Sequence, residues 1–217
     1  MSLRHGDTSD ALNNRRVFLE GLGVDYRNLV CAEQVHGNKA RYVSNNDKGK
    51  GALSWDNVLR QTDGLITDKA GVPLAVFTAD CLSVFLYDPK QKVIGLVHAG
   101  WRGTKAGVLA AALVLMREKF NSRSEDLSVG FGPVIRSCCY EVGEDFKELF
   151  DYGLKRINNY LHLDLAALNK RQLLEAGVKE DSIYDSGICT SCSSKDFFSF
   201  RREGNSCGRM MSVIMLK

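Results

Sequence analysis

Three short segments of this chain place a thiol or an imidazole directly after an apolar run. They are Gln34-Val35-His36-Gly37, Thr78-Ala79-Asp80-Cys81 and His98-Ala99-Gly100-Trp101-Arg102-Gly103. Zinc binds imidazole nitrogen and cysteine thiolate readily, and three protein ligands leave one tetrahedral position open, as catalytic zinc sites do. We therefore expect His36, Cys81 and His98 to be metal ligands and, together with Asp80, catalytic residues.

The same residues also suit chemistry without a metal. Cys81 would then be a nucleophile, His98 its general base, and Asp80 or Gln34 the group that orients the imidazole. A metal analysis separates the two hypotheses, because only one of them requires a bound ion.

Arg102 is a candidate for binding an anion such as phosphate. It follows His98 and precedes a helix predicted over 104–120 with Thr104 as its cap. An arginine near a helix N-terminus favours an anion, although a solvated loop would also explain it. Trp101 would either stack on a flat ligand or pack in the core.

Arg201 and Arg202 form a second cationic candidate. They follow the aromatic run Phe197-Phe198-Ser199-Phe200. Aromatic and then basic residues suit a ligand with a ring and an anionic group, but edge strands also carry charge for solubility. Both interpretations of this segment stay open.

Most of the other cysteines are interpreted as structural. Cys189-Thr190-Ser191-Cys192 is a single CxxC, which is a weak zinc signal without a second pair. Cys138 and Cys139 would supply more thiols, but adjacent cysteines rarely chelate one metal together. A non-catalytic protein with structural zinc would need a fourth ligand, for which Cys139 is a candidate.

Composition excludes several classes of protein. The chain has 217 residues, 44% hydrophobic and 25% charged, which is typical of a soluble globular protein. A net charge of +3 and the absence of nucleic-acid motifs argue against a nucleic-acid partner. No apolar stretch predicts a membrane span or a signal peptide. Seven cysteines, an odd number, favour reduced thiols and a cytoplasmic location.

Hydrophobic periodicity predicts one α/β domain over residues 1–217, with mostly non-parallel sheets. Helices are expected over 9–20 and 104–120, a mostly helical region over 143–175, and an exposed loop over 44–62. Strands are expected over 28–35, 39–43, 64–67, 73–78, 82–87, 92–98, 126–131, 182–185, 197–200 and 210–216.

Taken together, these motifs resemble the YfiH-like family, also called the laccase-domain or polyphenol-oxidase family. The resemblance rests on the three segments above and on further motifs that follow in order. These are Gly132-Pro133-Val134-Ile135, Cys139-Tyr140-Glu141-Val142-Gly143, Phe197-Phe198-Ser199, Arg201-Arg202 and Gly208-Arg209. It implies a layered α-β-β-α sandwich of α+β type with mixed sheets, related to bacterial toxin deamidases that use a cysteine nucleophile.

The resemblance also implies an activity. Family members carry a zinc site at the positions of His36, Cys81 and His98. They cleave adenosine, inosine, guanosine and methylthioadenosine with phosphate, and they deaminate adenosine. Members usually have an N-terminal strand and a Gly-rich loop before the segment that residues 2–7 resemble, so this chain looks short at its N-terminus.

For the phosphorylase, the phosphate-binding candidates are Arg4, Arg102, Arg201 and Arg202. The partners expected are purine nucleosides and phosphate. A copper polyphenol oxidase is the alternative, but a laccase needs about ten histidines. This chain has four, at positions 5, 36, 98 and 162. Copper as a substitute for zinc in the same site remains compatible with the ligands.

Overall fold

The computed structural model describes residues 1–3 and 7–217. In that part of the chain the helices are α1 (Thr8–Glu20), α2 (Trp101–Lys105), α3 (Val108–Phe120), α4 (Phe146–Leu149), α5 (Leu165–Glu175) and α6 (Phe200–Glu203). The strands are β1 (Val30–Cys31), β2 (Ala40–Tyr42), β3 (Gly64–Thr67), β4 (Leu74–Thr78), β5 (Leu82–Asp88), β6 (Val93–Ala99), β7 (Ser128–Phe131), β8 (Glu141–Val142), β9 (Leu154–Ile157), β10 (Tyr160–Leu163), β11 (Ile183–Asp185) and β12 (Met210–Ile214). No helix among these is long and apolar enough to cross a membrane.

The described strands form three sheets. The largest has six strands in the order β11-β7-β5-β6-β3-β2, and a second has three in the order β1-β4-β12. A small third sheet has the order β8-β10-β9. Most pairs are antiparallel, as expected, while β1–β4, β2–β3 and β7–β11 are parallel.

Alternating side chains make the two larger sheets pack face to face. In β4, Leu74 and Val76 join a buried cluster with Leu65, Ile94 and Leu96 of the six-stranded sheet. Successive strand residues point to opposite faces, so the residues between these point outward from the interface. The core between the sheets is therefore apolar on both sides.

Helices cover the two outer faces. On one side, Leu19 of α1 packs with Ala75 and Phe77 of β4. On the other, α3 and α5 pack against the six-stranded sheet, where Leu109 and Leu173 share one buried cluster. The order of layers is helix, sheet, sheet, helix. The layered α-β-β-α sandwich with mixed sheets is confirmed.

The helix predicted over 104–120 is two helices. Gly107 adopts φ 79°, a left-handed conformation that separates α2 from α3. The prediction that Thr104 caps a helix is wrong. Thr104 lies inside α2, is buried, and exchanges hydrogen bonds with the Asn169 side chain.

Other expectations also differ from the structure, and the strand expected over 28–35 is reduced to Val30–Cys31. The stretch 143–175 contains the β9–β10 hairpin as well as α4 and α5, so it is not mostly helical. The strand expected over 197–200 is absent, since Phe200 begins α6. The stretch 44–62 is irregular but not simply exposed, because Ala52, Val58 and Leu59 are buried.

Candidate functional site

The β5–β6 hairpin brings two of the proposed metal ligands together. Leu82 pairs with Ala99 and Ser83 with His98, so Cys81, directly before β5, lies at the same end of the sheet as His98. His36 follows β1 and reaches the same point. The donor atoms of His36, Cys81 and His98 all lie within 4.8 Å of one another.

Asp63 positions two of these proposed ligands, His36 and His98. Its carboxylate is fully buried and accepts hydrogen bonds from the backbone N–H groups of Val35, His36 and Gly37 at 2.9–3.2 Å. It also lies 2.8 Å from His98 Nδ1. With Nδ1 bonded to the carboxylate, Nε2 of His98 is left to act as a ligand. A carboxylate behind a metal-binding histidine is common in zinc sites.

The space between the ligands fits a metal ion. Cys81 Sγ lies 3.8 Å from His36 Nε2, and ligand atoms about 3.3–3.8 Å apart are what tetrahedral zinc with nitrogen and sulfur ligands requires. A Cβ at Gly100 would lie 2.8 Å from His36 Cδ2 and 3.0 Å from Cys81 Sγ. Glycine at this position therefore keeps side-chain atoms out of the ligand set.

The charges of this group favour the thiolate. Burial opposes ionisation of Cys81, but the His98 charge and the His36 hydrogen bond outweigh it and lower its pKa to about 6. Burial likewise opposes protonation of His98, but the Cys81 charge and the Asp63 hydrogen bond raise its pKa to about 9. Thiolate is the form of cysteine that binds metals and attacks electrophiles.

Asp80 positions the segment that carries Cys81. Its φ of 85° is unusual for a residue with a side chain. Its carboxylate accepts hydrogen bonds from Thr190 Oγ1 at 2.6 Å and from the Arg201 N–H at 2.7 Å. Both oxygens are thus engaged. These bonds hold the backbone in its strained conformation and link the Cys81 segment to the loop of Thr190 and to α6.

A cavity of about 840 Å³ opens over the ligand group. That volume is within the range of small-molecule sites. The lining is rich in aromatic side chains and arginines. These residues are Trp55, Phe77, Trp101, Tyr140, Phe200, Arg102, Arg201 and Arg209. Burial and the neighbouring Cys81 charge raise the pKa of Tyr140 above its ordinary value, so its hydroxyl remains a donor.

The candidate arginines differ in their surroundings. Arg102 is exposed in the cavity wall and its guanidinium stacks 4.2 Å from the centre of the Trp101 ring. Trp101 in turn packs on Phe146 at 5.0 Å between ring centres. Arg201 also lines the cavity, where its side chain donates to the Glu141 carbonyl at 2.8 Å.

Arg202 points elsewhere. Its guanidinium donates to the backbone carbonyls of Thr190, Ser191 and Phe197 at 2.6–2.9 Å and pairs with Glu203. It is not among the residues that line the cavity. Arg4 lies outside the described residues.

Sequence patterns did not single out Asp63, Tyr140 or Arg209 as site residues. Asp63 directly precedes the short strand β3, and nothing in the local sequence distinguishes it from other loop carboxylates. Its contact with His98 forms only in the folded chain. Arg209 donates to the carbonyls of Cys207 and Gly208 and lines the cavity. Tyr140 and Arg209 belonged to motifs that carried the family resemblance, and that was the available signal.

The chain is similar to known proteins over nearly its whole length. A purine nucleoside phosphorylase named YlmD from Geobacillus stearothermophilus is 38% identical over 224 residues, which cover 99% of this chain and 82% of that protein. An adenosine deaminase named RL5, from an unknown prokaryotic organism, is 30% identical, with 97% and 84% covered. The crystal structure of YlmD from Geobacillus stearothermophilus superposes with a TM-score of 0.96 at 36% identity, covering 100% of this chain and 84% of that one. The family model described as multi-copper polyphenol oxidoreductase laccase matches residues 1–217, and the chain belongs to that family.

Proposed function

We propose that this chain is a zinc-dependent purine nucleoside phosphorylase with adenosine deamination as a second activity. One observation carries the proposal: a group of two imidazoles and one thiol opens into a cavity lined by aromatic rings and arginines. The names of the relatives, a purine nucleoside phosphorylase and an adenosine deaminase, support the substrate class. We treat residues 1–217 as a single domain.

His36, Cys81 and His98 would hold the metal. Two nitrogen ligands and one thiolate suit zinc, and the buried Asp63 orients His98 for that role. Bound zinc would supply a Lewis acid at its open coordination position. Copper remains a competitor for the same ligands.

Phosphate would be bound by the cavity arginines. The Arg102 guanidinium carbon lies 4.2 Å from the centre of the Trp101 ring, and no carboxylate in residues 1–3 and 7–217 forms an ion pair with it. Arg201 lies in the same wall. A planar guanidinium can donate two parallel hydrogen bonds to phosphate. We do not assign phosphate to Arg202, because its donors are engaged by backbone carbonyls and Glu203.

The nucleoside base would lie among the aromatic side chains. Rings such as those of Phe77 and Phe200 present flat apolar surface to a purine. The protonated Tyr140 hydroxyl provides a hydrogen-bond donor in the same cavity. Asp80 is better placed to position Cys81 than to transfer a proton, since both its carboxylate oxygens already accept hydrogen bonds.

A cysteine hydrolase is the second candidate. The lowered pKa of Cys81 beside the raised pKa of His98 favours it, because an imidazolium next to a thiolate is the usual arrangement of a cysteine nucleophile. Such an enzyme would keep its activity after metal removal. A laccase is not supported, since the candidate metal groups among the described residues contain only His36 and His98 as imidazoles.

The test measures base release from inosine and adenosine, and conversion of adenosine to inosine, by purified protein with and without phosphate. We expect phosphate to be required for base release only. Treatment with a chelator should abolish both reactions, and added zinc should restore them. Loss of neither reaction on chelation would favour the hydrolase, and no reaction with any purine nucleoside would refute the proposal.

A further inference from the structure

Four cysteines outside the cavity ligands converge at one point. They are Cys138, Cys139, Cys189 and Cys192, and their sulfur atoms all lie within 4.8 Å of one another. Cys192 Sγ is 3.6 Å from Cys138 Sγ and 3.3 Å from Cys139 Sγ. A disulfide bond would require about 2.05 Å. The four sulfurs therefore form a cluster of free thiols.

The local backbone explains how adjacent cysteines share this point. Residues 137–139 form a turn, and the N–H groups of Cys139 and Tyr140 both donate to the Arg136 carbonyl at 2.9 Å. In such a helix-like turn successive side chains diverge by about 100° rather than the 180° of a strand. Adjacent cysteines were expected to share one metal site only rarely, and this turn allows both sulfurs to approach one point.

We propose that these four cysteines form a second, structural metal site that binds zinc or a similar thiophilic divalent ion. Tetrahedral zinc with bonds of about 2.3 Å to sulfur places its ligands about 3.8 Å apart, close to the separations in this cluster. Four protein ligands fill the coordination sphere and leave no position for substrate. The site thus differs in kind from the three-ligand group in the cavity.

A backbone donor at the cluster suits a metal bound by thiolates. The Arg136 N–H donates to Cys189 Sγ at 3.5 Å, a contact that supports a charged sulfur. The Arg136 guanidinium lies nearby, where it pairs with Asp185. The Arg202 guanidinium donates to the carbonyls of Thr190 and Ser191, between the two cysteines of the CxxC. Each guanidinium is itself paired with a carboxylate, Arg136 with Asp185 and Arg202 with Glu203. The backbone N–H donor to Cys189 is therefore the direct support for a thiolate in this cluster.

The metal would join two loops, the first of which contributes Ile135 and Tyr140 to the cavity lining. The first loop runs from Val134 to Tyr140, and the second contains Thr190. Ile135 N–H donates to the Asp80 carbonyl at 3.0 Å, and Thr190 Oγ1 donates to the Asp80 carboxylate at 2.6 Å. Both loops thus contact the residue that precedes Cys81. We infer that the cluster stabilises the position of the Cys81 segment without contacting substrate.

The experiment uses the full chain with Cys81→Ser, which removes the thiol of the cavity site. The protein is purified without chelator in a thiol-free reductant, its zinc content is measured, and it is then loaded with Co²⁺. We expect about one zinc per chain to remain and Co²⁺ to give a strong thiolate-to-cobalt absorption band. Adding Cys192→Ser should reduce both signals to about a tenth or less. Adding Cys207→Ser should change neither the zinc content nor the absorption band, because Cys207 is buried and lies outside both groups.

Two further measurements guard against misfolding of the variants. Cys192→His, which keeps a metal ligand, should retain zinc with a weaker thiolate band. In the Cys81→Ser protein the exposed Cys138 and Cys192 should resist alkylation until a chelator is added, as mapped by mass spectrometry. Rapid alkylation before chelation, a cluster isolated as disulfides under reductant, or no thiolate band in the Cys81→Ser protein would overturn the proposal. None of these readouts depends on nucleoside cleavage.

Discussion

Two groups of side chains that could each hold a metal ion are linked through Asp80, and they are built in different ways. The cavity group draws Cys81 and His98 from the adjacent ends of long buried strands, supported by a buried carboxylate. The cysteine cluster draws its four candidate ligands from two turns. The first group has three potential ligands and faces the cavity, whereas the second has four potential ligands.

The two groups differ in the kind of backbone that holds them, and this difference relates to the role that each can have. Strand ends in a packed sheet hold ligands rigidly, so a site can leave one coordination position open without collapsing. Turns are mobile by themselves, and four ligands from two turns stabilise the turns as much as they hold the ion. We therefore expect damage to the cavity group to appear in catalysis and damage to the cysteine cluster to appear in stability.

The largest effect is expected from Cys81→Ala. It removes the thiolate from the cavity group, and phosphate-dependent base release should fall about a thousandfold, equal to about 4 kcal/mol of barrier. Cys207→Ser is the matched control and should stay close to the wild-type rate. Initial rates with inosine at saturating phosphate provide the measurement. A Cys81→Ala protein that retains more than a tenth of the rate would place the chemistry elsewhere.

Asp63→Asn should have the next largest effect, on metal binding in the cavity. Both oxygens of the Asp63 carboxylate accept hydrogen bonds, from three backbone N–H groups and from His98. An amide has only one acceptor oxygen, so asparagine cannot accept all of them. Zinc affinity at this site should therefore fall about 10–100-fold. Asp68→Asn is the matched control, because Asp68 follows the opposite end of β3 and accepts from the Tyr42 hydroxyl. Competition with a chelator of known affinity measures the change, and equal affinity in both variants would contradict the role of Asp63.

The strands that carry the site were predicted well because buried strands appear as apolar runs. The expected strand 82–87 ends one residue before β5 does, and the expected strand 92–98 is β6 shifted by one residue. Turn chemistry was the weaker point. Asn158 and Asn159 adopt φ values of 49° and 68° and join β9 to β10 as a two-residue hairpin turn. Asn-Asn is a pair that favours a hairpin turn, and here it lies between two segments of mixed polarity in a region interpreted as helix.

The site itself was only partly visible in the sequence. His36, Cys81 and His98 stood out because each follows an apolar run, and the structure places them together. The role of Asp63 depends on contacts across 35 positions of chain, which no local pattern encodes. The cysteine cluster was missed for a similar reason. Its two halves lie in separate turns, and the rule about adjacent cysteines assumes an extended backbone.

Arg102→Ala tests the proposed binding of phosphate beside the cavity group. The variant removes an exposed guanidinium from the wall, and the phosphate concentration needed for half-maximal base release should rise about tenfold, or about 1.4 kcal/mol. Adenosine deamination, which uses no phosphate, should change much less. Arg102→Lys should restore only part of the effect, because lysine keeps the charge but not the planar fork. Arg117→Ala, on the exposed side of α3, is the control. Equal damage to both reactions would show that Arg102 supports the nucleoside or the metal group instead.

Cys192→Ser is expected to have the smallest effect on activity. It therefore tests most directly whether the cysteine cluster acts on stability rather than on catalysis. Loss of the cluster metal would loosen the two turns that contact Asp80, so base release should fall only a few-fold while the midpoint of thermal unfolding falls by about 5 °C or more. Cys81→Ala should show the opposite pattern, with a large loss of activity and a smaller shift in the midpoint. Differential scanning calorimetry and initial rates on the same preparations separate the two, with Cys207→Ser as the common control. If Cys192→Ser lost activity as completely as Cys81→Ala at an unchanged midpoint, the cluster would belong to the catalytic machinery and the division between an open and a closed site would be wrong.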